Sequence, residues 1–244
     1  VTFAAVIMLP TVILNSAYWG QCDSIYTTFI ILTLLYLYRE KYHRAFMFLG
    51  IAFAFKMQTI FIFPFIICFY IYKKQFSIFE LLITVFTFWI SGIGAFVQGR
   101  SLLDPFRIYA NQTGTYQYMH VNFPSFWMFV GNDYEWLKTA AIVMAAGICG
   151  MGLYIIMKRK LDCSRPENFV SIASWFIWTC VLFLPAMHER YAYPLEILLV
   201  ILTCINKDYL KYSSVAILFS LFTYGNYLFQ NGAVDKYFAA VQVG

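Results

Sequence analysis

From residue 25 to residue 229 the chain is a succession of apolar runs, 25–38, 45–72, 77–97, 138–157, 169–187, 191–206 and 213–229, joined by short polar loops and one long one, 98–137. A bilayer core needs about 20 apolar residues to be crossed as a helix, and most of these runs are of that order, with several somewhat shorter. Lipid offers the backbone no hydrogen-bond partner, so runs of this kind are helical nearly throughout. Charged residues make up only 12% of the sequence against about 25% in soluble domains, which removes soluble-enzyme readings. The expected fold class is all-α, a polytopic transmembrane helical bundle with about 8 spanning or half-spanning helices. Residues 1–244 read as a single transmembrane domain truncated at its N-terminus. The chain opens inside an apolar run, 1–14, with no initiator Met, basic n-region or cleavage site.

The longest run is interpreted through the charge of its flanking loops. Residues 45–72 are interrupted only by Lys56, Gln58 and Thr59. As one helix they would extend about 42 Å with Lys56 near the middle; as two short helices, Lys56 and Gln58 mark a tight hairpin. The hairpin puts Arg39, Lys41, Arg44, Lys73, Lys74, Lys158, Arg159, Lys160, Arg165, Lys207 and Lys211 on one side, 11 of the 17 basic residues, which makes that side cytoplasmic. The net charge of +5 thereby follows from topology and calls for no nucleic acid. The extracytoplasmic side then receives residues 19–23, Lys56 with Gln58, the long loop 98–137, and residues 188–191. Polar clusters distant in sequence but gathered on one face are how a site between helices is built.

Each cluster has a chemical reading and a plainer one. His188, Glu189 and Arg190 are consecutive between two apolar runs, where an ionisable residue costs about 2.5–3.5 kcal/mol on insertion scales. They must face water, protein or a ligand. The planar fork of Arg190 suits a phosphate, with His188 or Glu189 placing a hydroxyl or a proton; the alternative is a Glu189–Arg190 pair that locks a hairpin. Trp19, Gln21 and Asp23 combine an apolar face with hydroxyl-binding groups, as a sugar requires. Equally, Asp23 or Ser24 caps a helix and Trp19 sits at an interface. Lys56 is either a point-charge phosphate ligand or a snorkelling side chain.

The aromatics of the loop 98–137, among them Tyr109, Tyr116, Tyr118, Phe126, Trp127, Tyr134 and Trp136, read as an interfacial belt or a carbohydrate platform. Asn111-Gln112-Thr113 matches the glycosylation sequon. The six cysteines lack paired spacing and read as apolar filler rather than a disulfide framework or a zinc site. There is no HExxH, GxSxG, P-loop or dinucleotide motif.

Asn15 with Trp19-Gly20-Gln21-Cys22-Asp23-Ser24, then Lys56-Met57-Gln58 followed by Pro64, then residues 122–127, then Met187-His188-Glu189-Arg190-Tyr191 with Pro194, resemble the GT-C membrane glycosyltransferases. The branch is the bacterial mannosyltransferase-like proteins related to the enzyme that adds the second mannose of GPI anchors. The resemblance runs in order over most of the chain, and its WGQxDS and HERY elements are the specific ones. It implies a bacterial plasma-membrane enzyme acting on the extracytoplasmic face. The donor would be a polyprenyl-phosphate-linked sugar, the acceptor a glycan, a lipid or a protein, and the surrounding partner membrane lipid. The family's base, an acidic residue in the first extracytoplasmic loop, would precede Val1. On this reading Asp23 and Glu189 are support residues; Lys56, Gln58, His188, Arg190 and Tyr191 bind donor and phosphate; Trp19, Gln21 and Asp23 bind sugar. No cofactor or metal site is expected, with a divalent cation left open. A transporter or flippase of lipid-linked sugars is the rival from another class.

Overall fold

The computed structural model describes residues 2–112 and 115–229. In chain order they form α1 (Thr2–Ile7), α2 (Pro10–Val12), α3 (Asp23–Tyr38), α4 (Tyr42–Phe55), α5 (Phe63–Lys73), α6 (Glu80–Ile90), α7 (Ile93–Val97), α8 (Asp104–Gln112), β1 (His120–Val121), α9 (Tyr134–Arg159), α10 (Pro166–Phe183), β2 (Met187–His188), α11 (Tyr193–Ile205) and α12 (Leu210–Phe229). A π-helical stretch, Ile13–Tyr18, continues α2, and 3-10 turns occupy Met57–Ile62, Phe126–Phe129 and Lys207–Tyr209. The chain is all-α, as expected. Its segmentation is finer than the apolar runs imply: against about eight spanning or half-spanning helices expected, the described residues hold twelve helices. Of these only α9 is long and apolar enough to cross a membrane. Five further apolar stretches are 10–17 residues long.

Local chemistry accounts for the breaks. The run 45–72 divides at Lys56, whose extended backbone (φ −158°, ψ 132°) ends α4 before the 3-10 turn begins. The run 77–97, expected as one span, is α6 and α7. There the Ser91 hydroxyl donates back to the Thr87 carbonyl at 2.7 Å, a bond that bends helices, and Gly92 follows. α9 starts at Tyr134 rather than at the expected residue 138, because the Asp133 carboxylate caps it by accepting from the Trp136 N–H at 3.3 Å. Residues 134–137 therefore belong to a helix and not to the loop. At its other end Lys160 is left-handed, and Lys158 and Arg159 lie in the last turn, where cations suit the carbonyl end.

Two compact units divide the chain. The first takes residues 1–24 and 117–244, the second residues 25–116, so the loop 98–137 is shared between them. In the first unit α11 is the central helix: Tyr193 through Val200 are all buried. Pro194 sits in its first turn, the place where a missing N–H is harmless. α10 and α12 pack against α11, α9 against α10, α1 against α11 and α2 against α12. β1 and β2 form a short parallel ladder pairing His120 with Met187 and Val121 with His188.

In the second unit α4 and α6 lie close enough that a Cβ on Gly50 would stand 2.6 Å from the Thr84 carbonyl oxygen. The Thr84 hydroxyl donates to the Phe46 carbonyl at 2.9 Å, fixing the same contact. Phe76 collects the rings of Tyr42, Phe46, Phe69 and Tyr70 around it. Residues 98–112 are ordered by α8, whose Tyr109 hydroxyl donates to the Phe53 carbonyl, and by Trp89, whose indole N–H donates to the Leu102 carbonyl at 2.9 Å.

Candidate functional site

The site grows from two turns of the first unit. In one, Gly20 takes φ +69°, a left-handed value that suits glycine, and the Gln21 N–H returns to the Asn15 carbonyl at 3.0 Å. This turn joins the π-helical stretch to α3 and brings Asn15 against the start of that helix. Asp23, the first residue of α3, is fully buried at the positive end of the helix dipole. The Asn15 amide, also fully buried, donates to Asp23 Oδ2 at 2.8 Å and to the Tyr224 hydroxyl at 3.2 Å. π-Helical turns recur at functional sites, and here one positions an amide against a carboxylate.

The second turn joins α10 to α11. Ala186 is left-handed (φ 59°), an unfavourable conformation for a residue with a Cβ, and its N–H is shared by the carbonyls of Tyr118 and Met119 at 3.0 and 3.1 Å. The Trp127 indole N–H donates to the Phe183 carbonyl at 2.7 Å. Residues 117–137 therefore clamp the turn. Trp127 is 3% exposed, which corrects its assignment to a platform or belt: it packs with Met119 and Ala141. Tyr116, Tyr118, Phe126 and Trp136 remain exposed.

The two turns meet at Arg190. Its Nη1 donates to Glu189 Oε1 at 2.8 Å and its Nε lies 3.8 Å from Asp23 Oδ2. Its guanidinium covers the Trp19 ring at 5.2 Å and approaches Tyr191 at 6.0 Å. Trp19 in turn meets Tyr224 edge-on at 5.8 Å and Tyr227 at 4.7 Å. His188 Nδ1 stands 3.8 Å from Glu189 Oε2, and the His188 ring lies 5.0 Å from that of Tyr191. Glu189 is 1% exposed and Arg190 21%. Burial opposes ionisation of Glu189, yet the imidazole of His188, the residue's own backbone N–H and the Arg190 charge hold its carboxyl below the usual range. Burial likewise opposes the charge on Arg190, and Glu189 with Asp23 raises its pKa above the ordinary value. Formal charges of Asp23, Glu189 and Arg190 sum to −1 before His188 is counted. The Glu189–Arg190 pair expected as one alternative is thus present, and Asp23 joins it.

Gln21 is half-buried beside this cluster in sequence, and its backbone closes the Gly20 turn. Lys56 and Gln58 belong to the second unit, where Lys56 is half-buried with its ammonium 5.4 Å from the centre of the Tyr26 ring, and Gln58 is half-buried in the 3-10 turn. The sequon ends at Thr113, outside the described residues.

Sequence reasoning overlooked Glu196. This carboxyl, on α11, is fully buried; Oε1 accepts from the Ser220 hydroxyl, and Thr11 lies beside it. Thr223, one turn from Ser220 on α12, donates to the Glu189 carbonyl at 3.3 Å and ties the same helix to the site. The signal was legible, because an ionisable residue inside an apolar run demands a reason. Among the described residues no group of three His, Cys, Asp or Glu is placed to hold a metal, and none of the six cysteines forms a disulfide. Comparison with models of protein families, with curated proteins and with solved structures returns no match to this chain.

Proposed function

We propose that the chain is the membrane-embedded body of a GT-C-type, mannosyltransferase-like glycosyltransferase, a polytopic bundle working on the extracytoplasmic face of a bacterial plasma membrane. It transfers a sugar from a polyprenyl-phosphate donor to a glycan, lipid or protein acceptor with inversion. The observation that carries the reading is the meeting of the two motifs behind the resemblance: Asp23 and Trp19 of the first lie against Arg190 of the second, far apart in sequence. In this reaction the acceptor hydroxyl loses its proton to a general base. Its oxygen attacks the anomeric carbon, and the bond from that carbon to the phosphate oxygen breaks, the electron pair leaving with the lipid phosphate.

Arg190 is suited to receive that phosphate. Of its five N–H donors one is engaged with Glu189, and the group keeps part of its surface open. The carboxylates of Asp23 and Glu189 favour the positive character that an anomeric carbon develops in its transition state. Lys56 is the second phosphate candidate, His188 and Tyr191 place the donor, and Trp19 with Gln21 presents a sugar-binding face. The test is transfer from polyprenyl-phosphate mannose by the purified full chain in lipid. Arg190→Lys, which keeps charge and loses the fork, is expected to reduce kcat more than KM, and Lys56→Met to abolish transfer while the protein still inserts. Near-normal turnover in either variant removes that residue from the site.

A flippase of lipid-linked sugars is favoured by a different observation. The π-helical stretch Ile13–Tyr18, the extended break at Lys56 and the interruption between α6 and α7 are the kind of discontinuity that transporters place at their binding sites. Movement of an intact lipid-linked sugar across reconstituted vesicles, with no transfer product, would replace the enzyme reading by this one.

A further inference from the structure

In the first unit, α9, α10, α11 and the start of α12 border an open groove of about 460 Å³, with Gly152, Ile155, Trp175, Trp178, Tyr209 and Tyr212 in its wall. Its shape depends on the absence of a side chain at residue 152, because the Trp175 ring occupies the space a Cβ would need. Aliphatic and aromatic side chains dominate the wall, so the groove accepts hydrocarbon. One end is cationic. α9 closes with Lys158, Arg159 and Lys160, and the next residue, Leu161, lines the groove. Lys207 and Lys211 flank Tyr209 and Tyr212, and the Lys211 ammonium lies 4.9 Å from the centre of the Tyr212 ring. These lysines are exposed, and among the described residues none of Lys158, Lys160, Lys207 and Lys211 is in an ion pair. Of the neighbouring acids, Asp162 lies 3.7 Å from Arg165, and Glu167 accepts from the Asn206 amide at 2.9 Å, a neutral partner that leaves its charge in place. Glu167 and Asp208 therefore stand against the exposed basic side chains of Lys158, Arg159, Lys160, Lys207 and Lys211, which remain in excess.

A hydrocarbon-lined groove with aromatic rings in its wall and an excess of exposed basic side chains beside it matches one occupant in both parts. We propose that this groove binds an anionic phospholipid, an acyl chain along α9 and α10 and the phosphate headgroup at Lys207 and Lys211. The site lies apart from the Asp23–Arg190 cluster in its residues, and the proposal rests on the membrane reading of the chain.

The experiment is native mass spectrometry of the detergent-purified full chain, titrated with phosphatidylglycerol and with phosphatidylcholine of the same acyl chains. One phosphatidylglycerol is expected to bind on the order of ten-fold more tightly than phosphatidylcholine. Lys207→Gln with Lys211→Gln should bring the two lipids to within a few-fold of each other. Ile155→Trp, at a position 43% exposed, should block the groove and weaken both. Equal affinities in the wild type, or lysine variants that bind phosphatidylglycerol unchanged, overturn the proposal; so does Ile155→Trp with undiminished binding. Alkaline carbonate extraction of the membranes separates the two failures. A chain that stays in the pellet without lipid preference refutes the lipid site alone, whereas a chain released to the supernatant refutes the membrane reading and the lipid site with it.

Discussion

Replacing Arg190 by Gln tests whether the guanidinium is what permits two carboxylates to be buried side by side. Asp23 is 0% and Glu189 1% exposed, and Arg190 is paired with both. Removing one member of a buried ion pair costs about 3–5 kcal/mol, because the charge left behind has neither partner nor water. Two features of this site place the loss at the lower end. Arg190 itself keeps 21% of its surface, so solvent screens part of the pair. Asp23 keeps the Asn15 hydrogen bond and the N-terminus of α3, the latter contributing about 0.3–1 kcal/mol. About 3 kcal/mol is therefore expected, and at about 2–4 °C per kcal/mol for a chain of this size Tm should fall by about 6–12 °C. Arg190→Lys retains one charge but cannot span both carboxylates and loses the stacking on Trp19, so its expected loss is about 1–2 kcal/mol. The assay is thermal unfolding of the detergent-purified protein followed by circular dichroism at low and high salt. Asp23→Asn combined with Arg190→Gln should recover part of the loss, since the two residues act as a pair. A Gln variant that melts within about 2 °C of the wild type, or a loss that salt abolishes, would refute the reasoning.

Three further expectations concern other parts of the chain. Gly50→Ala drives a Cβ into the Thr84 carbonyl, a backbone atom with little freedom to retreat, so it should destabilise the second unit by about 1–3 kcal/mol, measured by the same melts; an unchanged Tm would mean that α4 and α6 are not so closely packed. Because the folded Glu189 carboxyl is held below the ordinary range, its contribution is fully present above the unfolded value of about pH 4.3 and is lost as pH falls through the lower folded value; a wild-type Tm that declines through this window no more steeply than that of Glu189→Gln contradicts the assignment. The proposed topology would put the loop after α9 in the cytoplasm and Cys22 outside. Cys163 is buried, so the cytoplasmic reporter is Ser164→Cys at an exposed neighbour, expected to resist an impermeant thiol reagent in intact cells and to react after lysis. Labelling of Ser164→Cys in intact cells would invert the map.

What the sequence determined by itself is the helical character of the chain and several of its punctuation marks. Apolar runs without turn residues become helices because no other local structure satisfies so much backbone, and the run 45–72 breaks at Lys56, where a charge interrupts it. Asp23 opens α3 and Pro194 lies in the first turn of α11 for equally local reasons, an acid at the helix dipole and a ring that needs no hydrogen bond. Other breaks depended on single short-range bonds too weak to read in advance, such as the Ser91 hydroxyl turned back on Thr87 and the Asp133 cap of α9.

The composition of the site belongs to tertiary structure. Whether Arg190 faces an anion or a carboxylate cannot be read from its neighbours in sequence: Glu189 is adjacent, but Asp23 arrives only because the Gly20 turn and the hairpin before α11 are packed into one unit. Trp127 looked like any interfacial aromatic until its indole N–H met the Phe183 carbonyl. Glu196 became intelligible only with Ser220 opposite it on α12. Burial and pairing are properties of surfaces brought together by packing, and a pattern of local propensities specifies which helices form without specifying which polar groups they will enclose.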